Sequence, residues 1–237
     1  MKTALVTGST QGIGKAIAER LVKEGYRVCV HCSRDIQKAE RVREEIGAAQ
    51  AVVCDLSDMR QVAALKEKTG DVDVLILNAS VQYKESWQDI TDETFDKQFD
   101  INVKSTLKLM QAYYPAMKEK GFGRIITIGS VNQHRQHPEL SAYSATKCAV
   151  MKFVEVIAKQ VAPFGVTVNN VSPGAIATPR NASVYNDEAA RKKVEDCIPL
   201  GRFGKPEECA GAVILLCSEQ GAYITGTDII IDGGMRL

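Results

Sequence analysis

The sequence predicts a single α/β domain built on a doubly wound parallel sheet with helices on both faces. Short apolar runs typical of strands alternate with amphipathic stretches typical of helices along all 237 residues. The runs at 74–77 and 125–128 are apolar nearly throughout, as in strands that a parallel sheet buries on both faces. No repeat or linker interrupts the pattern, and the length suits one domain, 1–237.

The elements follow from this alternation. Seven strands are expected, at Ala4–Thr7, Val28–Val30, Ala51–Cys54, Val72–Asn78, Arg124–Ile128, Thr167–Val171 and Asp228–Ile231. Six helices are expected between them, at Gly14–Lys23, Ile36–Ile46, Met59–Lys68, Thr94–Lys118, Ala145–Val161 and Glu207–Cys217. Residues 174–195 form an excursion of mixed polarity after the sixth strand. Because ligands of such sheets bind beyond the carboxyl ends of the strands, we expect a substrate lid there, with a surface elaboration as the alternative.

Composition excludes several classes of protein. A formal net charge of +1 gives no electrostatic basis for binding nucleic acid or an anionic membrane. No secretory leader and no run of about 20 apolar residues is found, so we expect a cytoplasmic protein. Cys29 and Cys32 form a C-x-x-C pair on a predicted strand, where odd spacing sends side chains to opposite faces. We therefore expect reduced, core-filling cysteines and no metal site.

A glycine-rich turn, residues 8–14, joins the first predicted strand to the first predicted helix. It reads Gly-Ser-Thr-Gln-Gly-Ile-Gly and is preceded by Thr7. Glycines allow a tight turn and close approach to a pyrophosphate, and the helix start offers free N–H groups at the positive end of its dipole. The turn therefore predicts a dinucleotide site, with a merely connecting turn as the alternative.

Tyr143 and Lys147 lie four residues apart at the start of a predicted helix and therefore share one face. A free tyrosine has a pKa of ~10, too high for a base near neutrality. A neighbouring ammonium and an oxidised nicotinamide both favour the phenolate and lower that pKa. The pair can then exchange a proton with an alcohol or alkoxide while hydride moves to or from the cofactor. Taken alone, the spacing also suits an ordinary surface pair.

These motifs together resemble the short-chain dehydrogenase/reductase family, whose members have a Rossmann-like sheet. The likeness covers essentially the whole chain and includes the glycine spacing, Tyr-x-x-x-Lys, a serine thirteen residues before the tyrosine, and Pro-Gly-x-x-x-Thr at 173–178. It implies an NAD(P)-dependent oxidoreductase that interconverts a secondary alcohol and a ketone. It also implies a homotetramer formed through the helices at Thr94–Lys118 and Ala145–Val161.

The resemblance implies four catalytic residues: Asn102, Ser130, Tyr143 and Lys147. Ser130 would hydrogen-bond the reacting oxygen, which is stabilisation where charge develops. Asn102 would hold a water that links Lys147 to solvent. Because asparagine is a mediocre helix former, a buried amide at a local kink is an alternative reason for its presence.

The resemblance also implies how a cofactor is held. Asp55 would contact the adenine, Asn78 and Ala79 the ribose, and Thr178 the nicotinamide carboxamide. The implied cofactor-binding residues are Gly8, Ser9, Thr10, Gln11, Gly12, Ile13, Gly14, Ser33, Arg34, Asp55, Leu56, Asn78, Ala79, Tyr143, Lys147, Pro173, Gly174, Ile176 and Thr178. The sequence departs from the family where Asn-Asn-Ala-Gly becomes Leu-Asn-Ala-Ser, and Ser80 fits there only with a negative φ.

The end of the second predicted strand bears on the choice between NADP and NAD. NAD-preferring members of the family carry an acid at the position matching Cys32, which would repel a 2′-phosphate. Here Ser33 and Arg34 follow instead, and arginine suits a phosphate. Gln11, however, replaces the basic residue that many NADP-dependent relatives have in the glycine loop. We favour NADP(H), with NAD(H) as the alternative.

The loop at 131–140 is expected to line the substrate pocket. It is polar and holds two of the three histidines, which predicts Ser130, Asn132, His134 and Tyr143 as substrate residues. Such a lining favours a small sugar, polyol or hydroxy acid, although solvated loop histidines would have the same pattern.

Two other functions remain open. The chain also resembles bacterial 3-oxoacyl-carrier-protein reductases, but the positions matching their carrier-docking basic residues, Gly121 and Phe164, are uncharged. Nearby Lys118, Lys120 and Arg124 are potential substitutes. A non-catalytic cofactor-binding regulator is more remote, since regulators of this fold usually lose motif residues that are intact here.

Overall fold

The computed structural model describes residues 1–237 and contains one seven-stranded sheet. Its strands are β1 Thr3–Val6, β2 Arg27–Cys32, β3 Gln50–Val53, β4 Val74–Leu77, β5 Gly123–Ile128, β6 Val166–Pro173 and β7 Asp228–Ile231. The order across the sheet is β3-β2-β1-β4-β5-β6-β7, with every neighbouring pair parallel. The chain winds from β1 to one side and then from β4 to the other, so the predicted doubly wound fold is confirmed.

Nine α-helices accompany the sheet. They are α1 Gly12–Lys23, α2 Ile36–Ile46, α3 Met59–Thr69, α4 Asp92–Phe99, α5 Ser105–Lys120, α6 Ser141–Val161, α7 Ala182–Tyr185, α8 Glu188–Glu195 and α9 Pro206–Cys217. One prediction was wrong, because the continuous helix expected at Thr94–Lys118 is divided into α4, a π-helical turn at Asp100–Lys104, and α5. None of the helices has the length and apolar character needed to cross a membrane.

The sheet separates two apolar cores. Alternate residues of β1 supply them, with Leu5 in the core beneath α3, α5 and α6, and Ala4 and Val6 in the core beneath α1, α2 and α9. The predicted separation of the C-x-x-C pair is confirmed, since Cys29 lies in the first core and Cys32 in the second. Their sulfurs therefore fill space in different cores.

Local capping fixes where the helices near the sheet edge begin. The Asp35 carboxylate accepts the Lys38 N–H at 2.9 Å and starts α2, and Gly47, with a φ of +71°, ends it. In contrast, α1 begins after Gln11 with no side-chain cap. Its first N–H groups therefore face the glycine turn without a side-chain acceptor.

The excursion after β6 contains three short helical elements. A 3₁₀ turn at Pro179–Asn181 leads into α7 and α8. The chain then returns beside its own start, where Ile176 forms an isolated parallel bridge with Gly204. Edge-on packing of the Tyr185 and Phe203 rings, 5.3 Å between centroids, closes the segment against the domain.

Candidate active site

A cavity of about 510 Å³ lies beyond the carboxyl ends of the central strands. The structure brings most of the predicted site residues to its lining: Gly8, Thr10, Gln11, Gly12, Ile13, Gly14, Ser33, Asp55, Leu56, Asn78, Ala79, Ser130, Asn132, Tyr143, Lys147, Pro173, Gly174, Ile176 and Thr178. Four predicted residues do not line it: Ser9, Arg34, Asn102 and His134. The position at the switch point between β1 and β4 is the usual one for a ligand of this fold.

Each of the three glycines in the turn is required, two by their backbone conformation and one by lack of space. Gly8 has a φ of +63° and Gly12 a φ of +56°, in the left-handed region. A Cβ at Gly14 would lie 2.4 Å from both Asn78 Nδ2 and Gly8 O. The Asn78 amide donates to the carbonyls of Thr7 and Gly8 at 2.9 and 3.0 Å, so β4 holds the turn in shape. This cradle fits the pyrophosphate of a nicotinamide nucleotide.

Ser9 stabilises the turn from inside instead of facing the cavity. Fully buried, its hydroxyl donates to Val6 O at 2.7 Å and accepts the His31 N–H at 2.9 Å. The Ser9 side chain is therefore not available to a cofactor, and the predicted role of Ser9 in cofactor binding stays a prediction.

His31 is a site residue that the sequence analysis missed. Buried at the end of β2, it accepts the Gly8 N–H at Nδ1, 3.0 Å away, and its Nε2 lies 3.0 Å from Cys54 O. Nε2 must donate to that carbonyl, so the ring is neutral. Burial lowers the pKa of His31 to about 4. The sequence signal for this role is the presence of a histidine in the mainly apolar run of β2.

Three charged residues lie at or beside the end of the cavity near β2. Arg34, exposed and outside the lining, donates from Nε and Nη2 to Asp55 at 3.1 and 3.0 Å. Although burial opposes it, hydrogen bonds from Ser57 and the Arg34 guanidinium hold the pKa of Asp55 below its ordinary value. Lys38, which was not predicted, lines the cavity and donates to Gln11 Oε1 at 2.7 Å.

The opposite end of the cavity, called here the substrate end, contains Ser130, Tyr143 and Lys147, all buried. Lys147 Nζ donates to the Ile128 carbonyl at 2.7 Å and lies 5.5 Å from the centre of the Tyr143 ring. Burial lowers the pKa of Lys147 to about 7, and the positive charge of Arg180 acts in the same direction. Ser130 Oγ accepts the Asn132 N–H at 3.2 Å, which leaves its hydroxyl hydrogen without a partner.

Asn102 lies in the π-helical turn behind the cavity. Its Oδ1 accepts the Val81 N–H at 2.9 Å, and its Nδ2 donates to Val81 O at 2.9 Å and to Thr146 Oγ1 at 3.1 Å. These contacts agree with the alternative of a buried amide at a kink, and they tie the segment after β4 to α6. The water-holding role stays a prediction.

His134 lies outside the cavity, which corrects its prediction as a substrate residue. Its Nε2 lies 2.6 Å from Asp228 Oδ2, and the neighbouring Gln133 amide donates to the same oxygen at 2.8 Å. The cause is the 3₁₀ turn at Val131–Gln133, which Ser130 caps and which directs His134 towards β7. His137, in contrast, lines the cavity.

Ser80, where the sequence departs from the family, is accommodated without strain. No residue other than glycine has a positive φ, so Ser80 has the negative φ that a serine at this position requires. Arg180 donates from Nη2 to Ser80 O at 2.6 Å and to Ser80 Oγ at 3.1 Å. The excursion is thereby joined to the end of β4.

A parallel doubly wound sheet with a glycine cradle and a buried Tyr–Lys pair defines a nicotinamide-dependent oxidoreductase. The model of a family described as enoyl-(acyl carrier protein) reductase matches residues 8–236. The chain belongs to the short-chain dehydrogenase/reductase family. Its relatives include dehydrogenase/reductase SDR family member 4 of Bos taurus, 37% identical over 98% of this chain and 86% of that protein. Glucose 1-dehydrogenase 2 of Bacillus subtilis (strain 168) is 37% identical over 100% of this chain and 95% of that protein.

Solved structures agree with this assignment. A 3-oxoacyl (acyl-carrier-protein) reductase from Agrobacterium tumefaciens C58 with NADP bound has a TM-score of 0.94 and 34% identity, over 98% of this chain and 93% of that one. A gluconate 5-dehydrogenase from Burkholderia cenocepacia J2315 in complex with NADP and tartrate has a TM-score of 0.91 and 29% identity, over 99% and 94%. The protein is therefore an oxidoreductase that acts on CH–OH groups with a nicotinamide cofactor.

Proposed function

We propose that this protein interconverts a secondary alcohol and a ketone on a small polar substrate, a sugar, polyol or hydroxy acid, with NADP(H). The observation that carries the proposal is the lining of the substrate end. Polar and cationic side chains border it beside the Tyr–Lys pair, among them Gln82, Lys84, Asn132, Arg135, His137, Arg180 and Asn181. Such side chains offer hydrogen bonds to the hydroxyls and carboxylates of a small polar substrate. The gluconate 5-dehydrogenase neighbour, whose structure holds tartrate, supports the same class.

The chemistry is divided among three side chains. A nicotinamide nucleotide, when bound in the cavity, supplies or accepts the hydride. In reduction, Tyr143 Oη gives its proton to the oxygen of the carbonyl group, and in oxidation it takes that proton back. Ser130 donates its free hydroxyl hydrogen to the reacting oxygen, where negative charge develops. Lys147 is held by its hydrogen bond to the Ile128 carbonyl. When its amine is protonated, the positive charge stabilises the phenolate of Tyr143.

The preference for NADP(H) rests on the end of the cavity near β2. The position at the end of β2 where NAD-preferring members carry an acid is occupied by Cys32, and the next residue, Ser33, lines the cavity. Arg34 and Lys38 supply two positive charges beside it, and Lys38 compensates for the uncharged Gln11 of the glycine turn. NADP-bound structural neighbours support the preference, and NAD(H) remains the alternative.

The excursion 174–195 is proposed as the substrate lid. Nine of its residues line the cavity: Gly174, Ala175, Ile176, Thr178, Pro179, Arg180, Asn181, Val184 and Val194. The bonds from Arg180 to Ser80 join it to the opposite side of the opening, so it is placed to control entry.

All seven cysteines are free thiols, which supports residence in a reducing compartment, the cytoplasm.

We also propose a homotetramer formed through α5 and α6. The inner side of α6 packs on the core, whereas Ala149, Phe153 and Val156 keep apolar surface on its outer side, and Val156 is 50% exposed. Apolar residues at helical spacing on an exposed face are typical of a subunit contact. Phe95 on α4, 43% exposed, adds to the same kind of surface.

Reduction of a 3-oxoacyl thioester is the second candidate, favoured by the Agrobacterium neighbour. The three basic residues considered for carrier docking lie where β5 begins, at the sheet edge opposite the cavity. Lys120 pairs with Asp73, Lys118 lies 4.2 Å from the centre of the Phe164 ring, and Arg124 is buried. Within one chain, they do not form a docking surface at the cavity mouth.

Initial rates on a matched panel test the function. The panel pairs gluconate, sorbitol and glucose with NADP⁺, and a short 3-oxoacyl thioester with NADPH, on enzyme whose NADPH binding has been measured. We expect kcat/KM for at least one sugar, polyol or hydroxy acid to exceed that for the thioester. A thioester value 100-fold higher than the others would establish the second candidate. Cofactor binding with no turnover on an enlarged panel would favour the non-catalytic regulator.

A further inference from the structure

We propose that Arg180 binds a carboxylate of the substrate, so that the substrate class is an anionic hydroxy acid and its oxo acid. This inference rests on the proposed function and narrows it. Arg180 lines the substrate end, on the short turn that follows Thr178. Carboxylate recognition is the chemistry for which the planar arginine fork is best suited.

The guanidinium is held in place but is not saturated. Its Nη2 donates to the carbonyl and hydroxyl oxygens of Ser80, whereas Nε and Nη1 make no hydrogen bond. The turn that carries it is fixed by Asn181, whose amide donates to Ile176 O at 2.8 Å. An arginine with two anchored bonds and free N–H groups facing a cavity is preorganised for an incoming oxyanion.

No carboxylate of the protein forms an ion pair with Arg180. Other arginines have one, as in the pairs Arg34–Asp55 and Arg202–Glu208. Asp55 is also the only acid in the cavity lining, and it lies at the end near β2. No salt bridge includes Arg180, so its charge is balanced neither by a direct partner nor by a nearby acid of the lining.

Two further cations strengthen the positive potential of the substrate end. Lys84 and Arg135 line it and form no salt bridge with any acid. Both charges act on His137, whose pKa is lowered by burial and by Lys84 and Arg135, with Glu139 opposing them. Cations in a partly enclosed cavity raise the local concentration of an anionic ligand.

Arg180 is also close enough to the reacting groups to hold one end of a small molecule. Its charge acts on Lys147, the neighbour of Tyr143, and its Ser80 anchor follows directly on Asn78 and Ala79, which line the cavity. A substrate whose hydroxyl lies at Tyr143 and whose carboxylate lies at Arg180 is therefore short. This placement distinguishes a hydroxy acid from a neutral polyol of the same length.

Calorimetric titrations into the NADPH-loaded protein test the proposal with two pairs of equal carbon number, gluconate with sorbitol and lactate with propane-1,2-diol. Each acid differs from its partner mainly by a carboxylate in place of a neutral group. We expect the acid of at least one pair to bind about tenfold or more tightly than its neutral partner. Arg180→Gln should remove that preference without changing neutral-ligand or NADPH affinity, and Arg180→Lys should keep part of it.

Arg191→Gln is the matched control, because it removes a positive charge from the same excursion at a position outside the lining. It should leave the preference intact. Equal affinities within both pairs, an undiminished preference in folded Arg180→Gln, or tighter binding of inorganic phosphate than of either acid would overturn the proposal. Because these titrations need no turnover, a failed rate panel would reject the proposed function without deciding the outcome here.

Discussion

His31 accepts the backbone N–H of Gly8 at its Nδ1, across 3.0 Å, and so ties the glycine turn to β2. The ring's other nitrogen donates to Cys54 O at the start of the segment that leads to Asp55. Only the neutral ring with its hydrogen on Nε2 can make both bonds. The shape of the cofactor cradle therefore depends on one buried, uncharged histidine.

This dependence predicts a loss of stability in mild acid. The unfolded chain takes up a proton at His31 near the ordinary pKa of 6.5, whereas the folded protein does so only near its pKa of about 4. Between those pKa values the unfolded state binds more protons than the folded state. Lowering the pH therefore lowers the free energy of unfolding, by up to about 1.4 kcal/mol per pH unit. Relative to His31→Asn, the free energy of unfolding of the wild type should fall by about 2 kcal/mol between pH 7 and 4.5.

Urea denaturation of both proteins across that range measures the difference. Asparagine can also accept the Gly8 N–H but does not titrate, so it isolates the protonation from the loss of the contact. Parallel curves for the two proteins would mean that His31 is protonated in the folded state near its ordinary pKa.

Tyr143→Phe should abolish turnover and spare cofactor binding. The substitution removes the hydroxyl that exchanges a proton with the substrate oxygen while it keeps the buried ring on α6. General acid–base catalysis contributes about 10²–10⁴-fold, so kcat should fall at least by that factor. Fluorescence titration with NADPH should give an unchanged Kd. Turnover within tenfold of wild type would reject Tyr143 as the acid/base.

The cofactor preference should depend on the two cations near β2. Arg34→Ala and Lys38→Ala should each weaken NADPH binding by about tenfold, with little effect on NADH, because only NADPH has a 2′-phosphate to pair with them. Arg41→Ala, an exposed change further along α2, is the control and should alter neither affinity. Equal weakening of NADPH and NADH by both site variants would favour NAD(H) as the cofactor.

The fold and the core of the site could be predicted because they depend on local patterns. The apolar runs identified all seven strands, and the glycine spacing identified the turn between β1 and α1 that lines the cavity. These features are encoded in a few neighbouring residues, whose periodicity and backbone requirements are visible in the sequence.

The rest of the site depends on contacts between distant parts of the chain. Arg180 meets Ser80 across 100 residues, and Lys38 meets Gln11 across 27. Whether His134 faces the cavity or Asp228 is decided by a capped turn and a strand 94 residues away. Neither periodicity nor spacing carries that information. The sequence could therefore identify polar residues of the loop as candidates, but it could not predict which of their side chains face the cavity.

Subunit assembly should be sensitive to the outer face of α6. Light scattering should give a mass near four times the 25.9 kDa of the chain. Val156→Glu places a charge in the proposed contact, where burial without a partner is costly, and should shift the protein to smaller species. Ile36→Glu alters a comparably exposed apolar residue on α2 and should leave the mass unchanged. A monomeric wild type would reject the homotetramer.

Lys147 should make stability rise with pH on the alkaline side of neutrality. The unfolded chain keeps this proton up to a pKa near 10.5, but the folded protein releases it near a pKa of about 7. Between those values the unfolded state binds more protons, so raising the pH stabilises the folded state by up to about 1.4 kcal/mol per unit. Below pH 7 the buried ammonium destabilises the wild type in full.

Lys147→Met lacks the titrating group and nearly keeps the length of the side chain. Any advantage in stability that it has over the wild type should therefore shrink by about 2 kcal/mol between pH 7 and 9, as measured by urea denaturation. Lys152→Met on the same helix removes an exposed ammonium and should give a difference that does not change with pH. A constant offset for Lys147→Met as well would place the pKa of Lys147 near its ordinary value, and the lysine would then be charged throughout the working range of the Tyr143 hydroxyl.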